Sequence, residues 1–303
     1  MTETPFALLV NPVAGNGKGR FHFLKIKQEL ERRSVLFGEF ITAKAGDEHS
    51  LLTNAIKNGF RNFIIIGGDG TLSKTIHSFL QSSENNNEKF RFGVIPSGTG
   101  NDWCRHHAIP FQPLKALEII LKGKTIHHDA GIVRSGDGTR YFINMAGTGF
   151  QGYVVMRIAE SDCFKTNRLF YYLKVLQYIF SYKSSIVNIE CEEMQINGPV
   201  FSVAAGVCRY NGGGMMQAPG AVADDGLLDI TIIKKMPLIQ LLLNFPKISS
   251  GKHVNHPQVS VVRTKNLFIR SPETIYADAD GELSFASPFQ FTIWSKAVQM
   301  FVP

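Results

Sequence analysis

A chain of 303 residues is longer than one hydrophobic core usually organises, because cores stop growing near ~250–300 residues, so two domains are expected. Its composition, 44% hydrophobic and 19% charged, excludes the fibrous and disordered classes. With 32 Lys and Arg against 25 Asp and Glu the formal charge is +7, which suits phosphate-bearing molecules or an anionic lipid surface. Nucleic acid is disfavoured, since no dense basic run is interleaved with aromatics and no reading module is recognisable.

The first third alternates strand and helix. Residues 6–10 form a short apolar run, and Phe23, Ile26 and Leu30 then recur at helical spacing. A second strand is expected over 36–42, a helix over 48–58 presenting Leu51, Leu52, Ala55 and Ile56, and a buried strand over 63–66. A helix over 71–81, a polar loop over 82–89 and a buried strand over 92–95 follow. Such alternation implies a parallel sheet covered on both faces.

Past residue 127 the texture becomes β-rich, with strands expected over 132–134, 141–146, 186–190, 201–207, 228–233 and 266–269, and turn signals at 136–138 and at Asn197–Gly198. Helices are expected over 168–183 and 238–247. The first of these mixes Phe and Tyr with Lys174 and Lys183, which fits a core helix, the wall of an acyl channel, or a face for an anionic bilayer.

No window reaches the ~20 apolar residues of a spanning helix, and residues 1–5 lack the basic-then-apolar pattern of a secretory signal, so a cytoplasmic location is expected. Cys104, Cys163, Cys191 and Cys208 are scattered and read as ordinary reduced thiols.

In an open α/β sheet, ligands bind beyond the carboxyl ends of the strands. Three loops there stand out. Residues 11–20 supply Asn11, Pro12, Gly15, Gly17, Lys18, Gly19 and Arg20 just before a helix, flexible backbone and cations that can hold phosphate. The run is not a Walker A loop, because Gly19 stands where Ser or Thr is required.

Gly67, Gly68, Asp69, Gly70 and Thr71 follow a buried strand. The glycines admit a polyphosphate, Thr71 can donate to it, and Asp69 can hold magnesium or position the reacting groups. Residues 96–102, with Gly98, Thr99, Gly100, Asn101 and Asp102, repeat that chemistry after the next strand.

Together, Asn-Pro-x-x-Gly at 11–15, Gly-Gly-Asp-Gly-Thr at 67–71 and Gly-Thr-Gly-Asn-Asp at 98–102 resemble the diacylglycerol kinase catalytic domain, shared with sphingosine and ceramide kinases, and most of all the small bacterial lipid kinases. The resemblance continues through Ala218–Ala221 and 225–229 to Asp280, Gly281 and Glu282. It implies a nucleotide-binding α/β domain over 1–128, a β-sandwich lipid-substrate domain over 129–289, a C-terminal segment 290–303 that rejoins the first domain, and an active site in the cleft between them.

Carried over by motif, Asn11, Pro12, Gly15, Thr42, Gly67, Gly68, Asp69, Gly70, Thr71, Ser73 and Thr99 would contact ATP. Asp69, Asp102, Asp129 and Glu282 would surround the transferred phosphate and magnesium, with Glu282 as general base. A second, structural magnesium would be held by the Asp225 carboxylate and the carbonyls of Val222 and Leu227. The implied reaction is transfer of the γ-phosphoryl group of ATP to a lipid hydroxyl, with a diacylglycerol-like acceptor, at a membrane surface. An exposed strand edge would support a homodimer.

The chain departs from the family at Leu72–Ser73–Lys74, where Leu-Asn-Glu is usual, and at Trp103 and Cys104, where Phe and Ala are common. The alternatives are a NAD kinase-like enzyme, which shares the 67–71 loop, and a catalytically silent nucleotide- or lipid-binding protein. A literal G-x-G-x-x-G at 147–152 lies in the β-rich half, away from the βαβ setting a nicotinamide enzyme needs.

Overall fold

The computed structural model describes residues 5–82, 90–160, 168–284 and 287–303, with 168–170 and 284 described by backbone alone. Residues 83–89 of the expected polar loop, and Cys163, lie outside the described residues. The chain divides into one unit of Met1–His128 with Lys296–Pro303, and a second of Asp129–Ser295.

In the first unit, β1 (Phe6–Val10), α1 (Ala14–Arg32), β2 (Phe37–Ile41), α2 (Glu48–Lys57), β3 (Asn62–Gly67), α3 (Asp69–Ser82) and β4 (Arg91–Pro96) alternate, followed by α4 (Asp102–His106) and α5 (Pro113–Lys122). The strands pair in parallel in the order β2, β1, β3, β4. Ala7, Leu8, Phe63, Ile64, Ile65, Ile66, Phe92 and Ile95 are fully buried, as continuous apolar runs covered on both faces must be. Val10 pairs with Ile41 and with Ile66, and Gly67 with Pro96. The loops leaving all four strands therefore emerge at one edge.

The second unit runs from β5 (Thr125–Ser135), which begins in the first, through β6 (Gly138–Phe142), β7 (Met145–Gly149), α6 (Phe150–Ala159), α7 (Arg168–Ser181), β8 (Ser185–Cys191) and β9 (Met194–Gly206). It continues with β10 (Leu228–Lys234), α8 (Leu238–Asn244), β11 (Val259–Thr264), β12 (Asn266–Arg270), β13 (Ala277–Ala279), β14 (Glu282–Ser284) and the first half of β15 (Phe289–Phe301). Here the pairing is antiparallel, with the long β9 bonded to β7, β8 and β10. The far end of β15 pairs in parallel with β4, Gln299 against Arg91, and supplies the last strand of the first unit.

Two sequence expectations fail here for tertiary reasons. The strand over 141–146 is broken in two, because the Asp280 carboxylate accepts hydrogen bonds from the backbone N–H groups of Ile143, Asn144 and Met145. Asn197–Gly198 is not a turn. It lies inside β9, with Asn197 opposite Asn188 and Gly198 opposite Val187, and the hairpin turns instead between Cys191 and Met194.

One face of the 168–183 helix is buried, and its Val175 and Ile179 also line a cavity. Val175, Tyr178 and Ile179 are buried in a cluster with Phe150, Val154 and Phe201, while Leu173 and Phe180 remain exposed. Trp103 is fully buried with its indole N–H on His128 Nε2 at 3.1 Å.

Candidate functional site

In the first unit, the three glycine-rich loops are built against one another. Asn11 Nδ2 donates to Thr71 Oγ1 at 3.0 Å, tying the first loop to the second. Ser97 N–H donates to the Gly67 carbonyl at 2.7 Å, and Trp103 N–H donates to Asp69 Oδ1 at 3.2 Å, tying the second to the third. Asn101 closes its own loop, accepting from Gly98 N–H and donating to Gly98 O, each at 2.9 Å.

The glycines are needed for approach. A Cβ on Gly15, whose φ is +57°, would lie 2.1 Å from the Ser97 carbonyl oxygen, and one on Gly68 would lie 2.8 Å from the Gly98 Cα. Bare backbone against bare backbone is what brings rows of N–H groups close enough to face a polyphosphate.

These loops wall a cavity of about 470 Å³ at the strands' carboxyl ends, within the ~300–1,000 Å³ usual for small-molecule sites. Of the residues assigned to ATP, Asn11, Pro12, Gly15, Thr42, Gly68, Asp69, Gly70, Thr71 and Thr99 line it. Gly67 and Ser73 are absent from the wall; Gly67 is packed against Thr71 and Ser73 is buried in α3. Lys44, Glu48 and Lys74 also line it. Lys44 and Glu48 were findable, since they sit in the loop after β2 and at the start of the next helix. Lys74, the cation in place of an acid, thus faces the ligand space beside the first turn of α3, whose dipole favours anions.

Asp69 is half-buried. Burial pushes its carboxyl up, while the backbone N–H groups of Trp103, Asp102 and Asn101 pull it down. It thereby anchors the third loop to the second. Asp102 is buried beside it, with Arg105 Nε 3.6 Å away.

Asp129 and Glu282 belong to the second unit and sit on different elements. Asp129 is wholly buried in β5, accepts Gly226 N–H at 2.7 Å, and donates its own N–H to Ala223 O, so it pins the 223–226 turn. Glu282 opens β14 opposite Ala279, across the tight turn at Asp280 and Gly281.

A cavity of about 320 Å³ within the second unit is lined by apolar side chains of α6, α7, β9, β10 and α8, among them Phe150, Val175, Ile179, Phe201 and Leu241. Asp278 and Asp280 lie in its wall and Glu282 does not. Asp278 is 1% exposed, and burial pushes its carboxyl up to about 7, with the Asp280 charge adding to the rise.

The 147–152 glycines serve packing: a Cβ on Gly152 would lie 2.2 Å from the Tyr276 carbonyl oxygen, and β7 runs antiparallel to both neighbours.

The expected structural magnesium site does not fit the arrangement found. The Asp225 carboxylate is ion-paired with the Arg263 guanidinium and accepts Leu227 N–H at 3.0 Å. Arg263 Nε is also 3.8 Å from Asp229, the residue opposite it across β10 and β11. An internal cation already neutralises the carboxylate that a divalent ion with Val222 and Leu227 would need, so no step is assigned to that ion. Thermal unfolding of the wild type is accordingly expected to be unchanged by EDTA. Arg263→Ala is expected to lower Tm and to regain part of it with millimolar Mg²⁺; a chelator-sensitive wild type would contradict the assignment.

Two family models match the chain. Residues 5–133 match the model of the diacylglycerol kinase catalytic domain, and residues 144–302 match that of the YegS C-terminal NAD kinase beta sandwich-like domain. A Staphylococcus carnosus protein named diacylglycerol kinase is 26% identical across 98% of this chain and 94% of its own. A Mycobacterium tuberculosis protein of the same name is 29% identical across 97% and 94%. The crystal structure of a diacylglycerol kinase from Bacillus anthracis shares the fold, with a TM-score of 0.75 at 20% identity over 100% of this chain and 98% of that one.

Proposed function

Because the chain belongs to the family that joins a diacylglycerol kinase catalytic domain to a YegS-type beta sandwich-like domain, we propose that it is an ATP-dependent lipid kinase acting on a diacylglycerol-like alcohol. The observation that carries this reading is that one unit holds a glycine-walled cavity at its strand ends and the other holds an apolar cavity. The first suits a triphosphate and the second suits acyl chains.

The triphosphate lies against the N–H groups of 68–71 and 98–100, with Lys44 and Lys74 opposing its charge. Catalysis of this kind is mostly positioning and charge neutralisation. Magnesium would enter with the nucleotide, and the hard oxygen ligands in that wall include Asp69, Glu48 and the hydroxyls of Thr42, Thr71 and Thr99; when bound it would neutralise charge on the phosphates. As the lipid oxygen forms its bond to the γ-phosphorus, the bond from phosphorus to the β–γ bridging oxygen breaks and ADP leaves. The hydroxyl proton goes to a carboxylate, which by motif is Glu282.

Purified protein incubated with radiolabelled ATP, magnesium and a lipid panel in mixed micelles, alongside NAD, tests this. One labelled organic-phase product is expected; label on NAD would transfer the protein to the sister activity, and no transfer would favour a silent binder.

Among the described residues no helix is long and apolar enough to cross a membrane, and we propose that the lipid is met at a bilayer surface. The best support for the place of contact is α8, whose Leu241 lines the apolar cavity while Ile239 and Leu243 are 62% and 66% exposed. No acidic residue occurs between Asp229 and Glu273, whereas Lys234, Lys235, Lys247 and Lys252 flank the helix, a pattern suited to an anionic bilayer. Ile239→Glu with Leu243→Glu is expected to reduce co-sedimentation with phosphatidylglycerol-containing vesicles at least about tenfold. Unchanged partition would remove α8 from the contact.

A further inference from the structure

Glu48 opens α2 and is only 7% exposed, yet its side chain lines the glycine-walled cavity of the first unit. A carboxylate is seldom buried unless its oxygens are paired. Glu48 Oε2 accepts the Gly46 N–H at 3.0 Å, and among the described residues nothing else pairs the carboxylate, which leaves Oε1 to whatever occupies the cavity. The loop itself is held by other groups. Asp47 Oδ2 accepts the N–H groups of Ala43 and Lys44, each at 2.9 Å, and Thr42 Oγ1 donates to the Val10 carbonyl at 3.2 Å. The conformation of 42–48 therefore does not account for a second buried acid beside Asp47.

Strand order decides which part of a nucleotide Glu48 meets. Residues 68–71 and 98–100 follow β3 and β4, the 42–48 loop follows β2, and β1 lies between β2 and β3. Two strand spacings of ~4.8 Å put about 10 Å of sheet edge between β3 and β2. From the phosphate loops the cavity continues past Pro12 and Val13 to Ala43, Ala45 and Glu48. Asp69, in the 67–71 loop, stays with the phosphates and their magnesium, while Glu48 stands toward the nucleoside. A carboxylate repels phosphate oxygens and accepts hydrogen bonds from neutral donors. The first such donors beyond the phosphates of a ribonucleotide are the ribose hydroxyls, and an acid plays that part on the ribose in dinucleotide-binding sheets.

We propose that Glu48 is a specificity-determining residue that accepts hydrogen bonds from the ribose hydroxyls of the phosphoryl donor and so selects ribonucleotides over dideoxynucleotides. This rests on the nucleotide reading of the cavity and deepens it, by assigning the sugar end that the glycine-rich loops leave open.

The test is calorimetric titration of the full chain with ATP, 2′,3′-dideoxy-ATP and ITP, each over a range of magnesium concentrations and without lipid. The wild type is expected to bind ATP at least about tenfold more tightly than the dideoxynucleotide, as the loss of a hydrogen bond to a charged group requires. Glu48→Ala is expected to bind the two alike. Glu48→Gln, which can still accept from a hydroxyl and from Gly46, is expected to keep part of the preference, and serves where the Ala variant does not fold. Equal weakening of both nucleotides in the variants would make Glu48 a loop support and overturn the assignment. So would a loss of discrimination against ITP alone, which moves the carboxylate to the adenine amine, or a raised magnesium requirement with sugar discrimination intact, which moves it to the metal. A wild type that binds both nucleotides alike, or neither, would overturn it as well. Sugar discrimination that Glu48→Ala abolishes, with no transfer to any lipid, would sink the kinase reading and leave this site standing.

Discussion

Asp69→Ala is expected to lower phosphoryl transfer by about 10²-fold or more, because a displacement of roughly 1 Å at a reacting centre costs that much. Asp69 Oδ1 receives Trp103 N–H, and the carboxylate also draws in the N–H groups of Asn101 and Asp102. Removing it leaves those donors unpaired at the start of α4 and frees the 97–102 loop from the 67–71 loop. The Gly68 and Gly98 backbones would then separate, and the wall that grips the phosphates would lose its shape. Asp69→Asn separates anchoring from charge. If the role is to hold the loop, the amide oxygen still accepts from Trp103 and kcat recovers by an order of magnitude over the Ala variant. Equal loss in both variants would mean that the negative charge itself, acting on metal or phosphate, is what catalysis requires.

As pH rises from 5 to 8 the wild type should lose folding stability relative to Asp278→Asn. The Asp278 carboxyl stands at about 7 in the folded chain against an ordinary value of 3.8, and Asp229 at about 6, both raised by burial. A raised carboxyl binds its proton more tightly when folded. Its stabilisation is therefore complete below the ordinary value and lost as pH passes through the folded one. For Asp278 the full difference corresponds to roughly 4 kcal/mol, of which about 3 kcal/mol is lost between pH 5 and pH 8. His22, His107 and His253 are held below their ordinary value by burial and act in the opposite sense, so the difference between wild type and variant isolates Asp278. Urea unfolding of both proteins at pH 5 and pH 8 measures it; parallel pH dependence would show that Asp278 is not the group responsible.

The sequence by itself determined the first unit and its ligand loops. β1, β3 and β4 are short apolar runs ended by Asn, Gly and Pro, and glycines with Asp and Thr beyond a buried strand have little use except around a ligand. These signals are local and need no distant partner to be read. Glu282 was singled out by motif, but that motif could not say that Asp280 would be spent on the N–H groups of Ile143, Asn144 and Met145, or that Asp278 would lie in the cavity wall.

Only tertiary structure decided the rest. Asn197–Gly198 has the composition of a turn, yet pairing with β8 holds it extended, because a ladder of cross-strand bonds outweighs one dipeptide's preference. Arg263 meets Asp225 and Asp229 only through the pairing of β10 with β11, so nothing in local spacing announced that an internal cation would stand where magnesium was expected. The apolar cavity draws its wall from α6, α7, β9, β10 and α8. Its lining joins residues from 150 to 281 that share no local pattern, and such a surface exists only once long-range packing has brought those elements together.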